Sequence, residues 1–139
     1  MKKKKFTLKK RAQSFKTSKH FYESLYYAFS GIVYCLNSSR NFRIQVLCGL
    51  TILFLGVLLG INSFEQIVVI ATIFSVLILE ILNTSIELLV DLIVGRNFNK
   101  FAKICKDCSA ASVLIASINS IFVAVYIFFP KIKILLLNS

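Results

Sequence analysis

Three apolar stretches, at 46–64, 66–95 and 108–130, leave this chain little choice of fold. The first and third carry no charged side chain, and the second is apolar apart from its acidic residues. Each matches or exceeds the roughly 20 residues that a helix needs to cross about 30 Å of hydrocarbon. Three segments cannot close a barrel, and backbone N–H and C=O groups in lipid must find partners within their own segment, so the spans are expected to be helical. A hydrophobic content of 57% in only 139 residues agrees: the chain is too apolar for a soluble domain and too short for more than one compact unit.

Charge then orients the spans. The net charge is +11, and it is uneven. Lys2, Lys3, Lys4, Lys5, Lys9, Lys10, Arg11, Lys16, Lys19, Arg40 and Arg43 precede the first span, Arg96, Lys100, Lys103 and Lys106 separate the second from the third, and only Lys131 and Lys133 follow. The positive-inside tendency places the N-terminus and the 96–107 loop in the cytoplasm, with the 61–66 turn and the C-terminus outside. The basic tail at 1–19 lacks an apolar core and small-residue cleavage site, which excludes a secretory signal. It reads as a solvated tail, with anionic headgroups as its alternative partner. A nucleic-acid partner is not expected, because no recognition module accompanies the charge.

Between tail and first span, Phe21, Leu25, Phe29, Ile32 and Leu36 recur every three or four residues, and Tyr22, Tyr26, Tyr27 and Tyr34 supply rings suited to the water–lipid boundary. The pattern predicts an amphipathic interfacial helix, followed by a polar break at 37–41. The whole is an all-α membrane protein in which 20–139 form a single domain.

Chemistry concentrates in the middle span. Glu80, Glu87 and Asp91 fall within an arc of about 40° on a helix, with Asn83 about 60° to one side, so all four line one face. Three acids without a basic residue in the same span are poor partners for one another, which weakens a purely structural role. Glu87 and Asp91, one turn apart near the cytoplasmic end, suit a hydrated Mg²⁺; Glu80, two turns deeper, suits proton handling. Lys106 and Asp107 open the third span, where a lysine and free helix-start amides can neutralise phosphate oxygens.

The run E-I-L-N-T-S-I-E-L-L-V-D at 80–91, A-K-I-C-K-D-C-S-A-A-S-V-L-I-A at 102–116, S-L-Y-Y-A-F-S-G-I at 24–32 and N-F-R-I-Q at 41–45 together resemble the small prokaryotic diacylglycerol kinase family, which includes undecaprenol kinases. The resemblance covers about residues 20 to 130. It implies a homotrimer of three-span subunits that transfers the γ-phosphate of MgATP to a membrane lipid alcohol. By position it implies Glu80 as catalytic base, Asn83 as its polar partner in the site, Glu87 as metal ligand, and Lys106, Asp107, Asp91 and Tyr27 as nucleotide-binding residues. The usual second metal ligand falls at Ser39, a neutral side chain, and Gln45 stands where some members carry an acid. Either Mg²⁺ is held mainly by Glu87, nucleotide and water with help from Asp91, or the enzyme is slow or inactive.

Diacylglycerol is the first expected acceptor, with undecaprenol the alternative toward which N-F-R-I and A-K-I-C-K-D lean. A small transport or proton-conducting oligomer is the rival class, disfavoured because a conduction path needs no phosphate-binding lysine at its rim. Cys105 and Cys108 lack a second pair to complete a zinc site, and Cys35 and Cys48 read as small packing residues.

Overall fold

In a computed structural model, residues 21–95 and 97–137 are described, so the tail at 1–19, His20 and Arg96 lie outside the described residues. Four helices follow one another: α1 Phe21–Ser38, α2 Arg40–Leu58, α3 Ser63–Val94 and α4 Lys100–Leu137. The last three are long and apolar enough to cross a membrane, by length and composition. The chain divides into two compact units, Met1–Tyr34 and Cys35–Ser139. In the first, Tyr22, Leu25, Tyr26, Tyr27, Phe29, Ile32 and Tyr34 are all exposed along α1.

Within the second unit the helix boundaries differ from those the apolar runs suggest, and each difference has a local cause. The polar break narrows to Ser39 alone. Its hydroxyl accepts the Phe42 N–H at 3.1 Å, capping a helix that starts six residues before the expected 46. That helix ends at Leu58, inside the uncharged run, because Gly60 adopts φ +62° and Ile61 N–H closes onto Gly56 C=O at 3.1 Å. The next begins at Ser63, where a capping box joins Asn62 and Glu65: the Glu65 N–H donates to Asn62 Oδ1 and the Asn62 N–H to Glu65 Oε2, both at 2.8 Å.

At 32 residues α3 is about 48 Å long, more than the hydrocarbon core needs, so one end must project. It stops at Gly95, whose φ is +63°. The third span starts well before the expected 108, since Asn99 Oδ1 accepts the N–H groups of Phe101 at 2.9 Å and Ala102 at 3.2 Å. Lys100, Lys103 and Lys106 therefore ride on the first turns of α4 rather than in a loop.

α3 packs on α4 most extensively and on α2 to a lesser degree. Val69 of α3 and Ile127 and Phe128 of α4 form a small buried core, flanked by Ile52, Leu53, Leu59, Ile61, Val68, Ile73, Val123 and Ala124. Without water to drive apolar side chains together in lipid, close approach depends on small residues. Gly49 supplies it on α2: a Cβ there would lie 2.9 Å from Ile73 Cγ2. Gly49→Val should consequently force α2 and α3 apart and cost about 1–3 kcal/mol in reversible unfolding in detergent. An unchanged midpoint would show that the two helices do not rely on this contact.

Candidate active site

The acidic face expected from spacing exists, and its polar groups are satisfied by the neighbouring helices. Glu80 is 2% exposed. A carboxylate removed from water needs donors, and two neutral ones reach it from the start of α2. Ser39 Oγ donates to Oε1 at 2.9 Å and Gln45 Nε2 to Oε2 at 3.1 Å. Ser39 and Gln45 lie six apart, spanning the first turns of the helix that Ser39 itself caps, so the cap and the carboxylate clamp are one construction. The Ser39 hydroxyl, at the position where a second metal ligand was expected, is thus engaged at both donor and acceptor ends.

One turn along α3, Asn83 Nδ2 donates to Glu87 Oε1 at 3.1 Å, while Asn83 Oδ1 accepts from Ser109 Oγ of α4. Asn83 and Ser109 are buried, and Glu87 is half-buried. The amide therefore fixes the Glu87 side chain and ties α3 to α4 at once. One turn further, Lys106 Nζ lies 2.5 Å from Asp91 Oδ1, with side chains 37% and 60% exposed. An ion pair this open to solvent contributes about 0–1 kcal/mol and can be replaced.

The site is thus a ladder of polar rungs along α3, running from the enclosed Glu80 through Asn83 and Glu87 to the open Asp91–Lys106 pair. Asp107, next to Lys106, is exposed and makes no polar contact among the described residues. Tyr27 belongs to the N-terminal unit, where its ring stands edge-on to Tyr26 at a centroid separation of 5.8 Å.

Three participants escaped the spacing argument. Ser39 and Gln45 were noted only as departures from the family pattern, not as donors to Glu80, and Ser109 was not singled out. A visible signal existed for Ser109: it follows Lys106 by three residues, which puts both on the α4 side that meets α3. Cys35, read from the sequence as a packing residue, is buried near Glu80. Burial pushes its thiol above the ordinary range, a hydrogen bond with the Thr84 side chain pulls it partly back, and the Glu80 charge raises it again. The thiol stays protonated at neutral pH and acts as packing.

Gln45 also heads an apolar cleft of about 320 Å³ between α2, α3 and α4, lined by Cys48, Gly49, Ile73, Ser117 and Ala124 among others. Its Oε1 is buried without a hydrogen-bond partner among the described residues. As for metals, no group of three or more His, Cys, Asp or Glu side chains is placed to hold an ion among the described residues. Glu87 keeps its second carboxylate oxygen outside the Asn83 bond, so the donor set fits a cation that arrives already bound to phosphates.

Ser109→Ala should cost about 1–3 kcal/mol of stability in detergent, because Asn83 would lose its buried donor. Ser112→Ala, which removes a hydroxyl bonded only to backbone, is the matched control and should be milder. Equal effects would mean that the Asn83–Ser109 bond does not hold α3 to α4.

Comparison with known proteins gives the family of the chain. The prokaryotic diacylglycerol kinase family model matches residues 26–128. A diacylglycerol kinase from Synechocystis sp. is 38% identical over 109 residues, which cover 78% of this chain and 62% of that protein, so the chain spans less than two thirds of that relative's length. An undecaprenol kinase from Bacillus subtilis is 31% identical over 112 residues, covering 81% of this chain and 90% of that protein. A matched stretch that takes in every rung of the polar ladder, together with these relatives, shows that the chain belongs to the prokaryotic diacylglycerol kinase family.

Proposed function

We propose that this protein is an ATP-dependent membrane lipid kinase whose reaction runs along the α3 ladder. The carrying observation is Glu80, a buried carboxylate clamped by two neutral donors, one of which, Gln45, lines an apolar cleft. The acceptor's hydrocarbon lies in the membrane or the cleft, and its hydroxyl meets Glu80. As the hydroxyl oxygen bonds to the γ-phosphorus and the bond to the β-phosphate oxygen breaks, the hydroxyl proton passes to Glu80 and ADP leaves. Lys106 offsets charge on the phosphates, Asp107 contacts the nucleotide, and Asn83 keeps Glu87 aimed at them; the first amides of α4, taken up by Asn99 two turns before Lys106, have no part in this. Magnesium bound with the nucleotide supplies further charge neutralisation when present, and Glu87 is the residue that would hold it.

The excess of Lys and Arg before α2 and around the start of α4 supports a cytoplasmic N-terminus and a cytoplasmic nucleotide side, in the inner membrane of a bacterium. A closed homotrimer is the expected assembly, because one subunit's polar face is insufficient to enclose nucleotide and lipid together and closed cyclic symmetry is the usual form of an oligomer. The domain division, a basic tail at 1–19 and a lipid-kinase domain at 20–139, belongs to the same reading. Diacylglycerol is the first acceptor to test and undecaprenol the second, since the two relatives carry those two names.

Glu80→Gln keeps the shape of the side chain and removes the base. Incubated with labelled MgATP and a panel of lipid alcohols, it should fall about 10²–10⁴-fold below wild type. Wild-type turnover on every acceptor would assign the proton transfer elsewhere.

Separate roles for Ser39 and Glu87 give a second test. Ser39→Ala should slow the reaction without changing its Mg²⁺ requirement, since the hydroxyl serves Glu80. Glu87→Gln should lower the rate at every Mg²⁺ concentration. Initial rates titrated with Mg²⁺ distinguish the two, and a raised requirement in Ser39→Ala would return that residue to the metal.

A further inference from the structure

Resting on the kinase reading, we propose that Asp91 is a stand-in for the nucleotide's phosphates and makes the site choose metal-bound over metal-free nucleotide. The contact that points to this is the Lys106–Asp91 pair, which joins α3 to α4 at the open end of the ladder. Lys106 is the cation assigned to the phosphates, yet its ammonium already holds a carboxylate. A phosphate oxygen seeks the same ammonium and must displace Asp91 or share the lysine with it.

Sharing is where the two nucleotide forms part. Glu87 lies one turn below Asp91 on the same face, so an incoming triphosphate meets two carboxylates at neighbouring positions. A metal-free triphosphate brings about four negative charges at neutral pH against both, and like charges brought together at a binding site are strongly disfavoured. With a divalent cation bound, half of that charge is cancelled and Glu87 gains a ligand to hold. Asp91 then has room to turn away, because its side chain is 60% exposed and loses no buried partner by moving into water. The pair is therefore weak enough to yield to a metal-bound nucleotide and charged enough to resist a metal-free one. The Asn83 bond to Glu87 sharpens the choice, since it keeps the second carboxylate from swinging aside as well.

The same geometry separates Asp91 from Glu87. Losing Glu87 removes an attraction for the metal, so it weakens the metal-bound form. Losing Asp91 removes a competitor, so it strengthens the metal-free form.

Equilibrium binding of a non-hydrolysable ATP analogue to the full-length protein in detergent, measured with excess Mg²⁺ and with excess chelator, reads this directly. Asp91→Asn should tighten binding of the metal-free analogue roughly tenfold while moving the Mg²⁺-bound analogue by less than about threefold, and Asp91→Ala should do the same. In a Lys106→Met background the gain from Asp91→Asn should shrink, because the contested ammonium is gone. Equal shifts for both forms of the analogue, weaker binding of both, or an undiminished gain without Lys106 would overturn the role of Asp91. Failure of the wild-type protein to bind the analogue under either condition is a different result, and it would overturn the kinase reading along with the proposal.

Discussion

Everything in the site depends on keeping one carboxylate inside an apolar bundle. Glu80 is 2% exposed, and an unpartnered carboxylate at such a place would cost far more than a small bundle can supply. The chain meets that need with two neutral donors, Ser39 Oγ and Gln45 Nε2, rather than with a cation. A cation would form a tight pair with it. Two neutral donors hold the side chain in place without bringing a charge beside it. Because Ser39 also caps α2, the start of that helix and the position of Glu80 are set together.

From that fixed point the rest of α3 follows by helical repeat. Asn83, Glu87 and Asp91 rise along the same face, and each is met by a group from α4 or by its neighbour on α3. Enclosure falls along the series, from buried Glu80 and Asn83 through half-buried Glu87 to exposed Asp91. On the proposed kinase reading, a lipid hydroxyl and a charged triphosphate would differ in the same sense, each suited to one end of the ladder. Belonging to the diacylglycerol kinase family and possessing this gradient are consistent with one another.

The sequence made some of this visible and hid the rest for physical reasons. Three apolar runs with too little polarity to be soluble gave three long helices, and the positions of Glu80, Asn83, Glu87 and Asp91 gave their shared face without any tertiary information. Helix ends were less visible. The first uncharged run passes straight through the turn at Gly60 to Asn62, since apolar composition does not distinguish a helix from the turn that ends it; only the Gly60 conformation and the Asn62–Glu65 box mark the boundary. The partners of the acidic face were hidden for another reason. Ser39 and Gln45 come from the start of α2 and Ser109 from α4, and which rung each one meets depends on packing offsets that no single-helix periodicity contains. Ser39 in particular was read as a lost metal ligand, whereas the structure gives its hydroxyl to Glu80.

The central claim is that acceptor hydroxyl and nucleotide meet on the α3 face, with Glu80 at the hydroxyl. A structure of the protein with a non-hydrolysable ATP analogue, Mg²⁺ and a lipid alcohol tests it most directly. The account predicts the acceptor oxygen about 2.6–3.2 Å from a Glu80 carboxylate oxygen, with the terminal phosphate at Lys106 in place of Asp91. An acceptor hydroxyl on another face of the bundle, with Glu80 still enclosed by Ser39 and Gln45 and out of its reach, would contradict it.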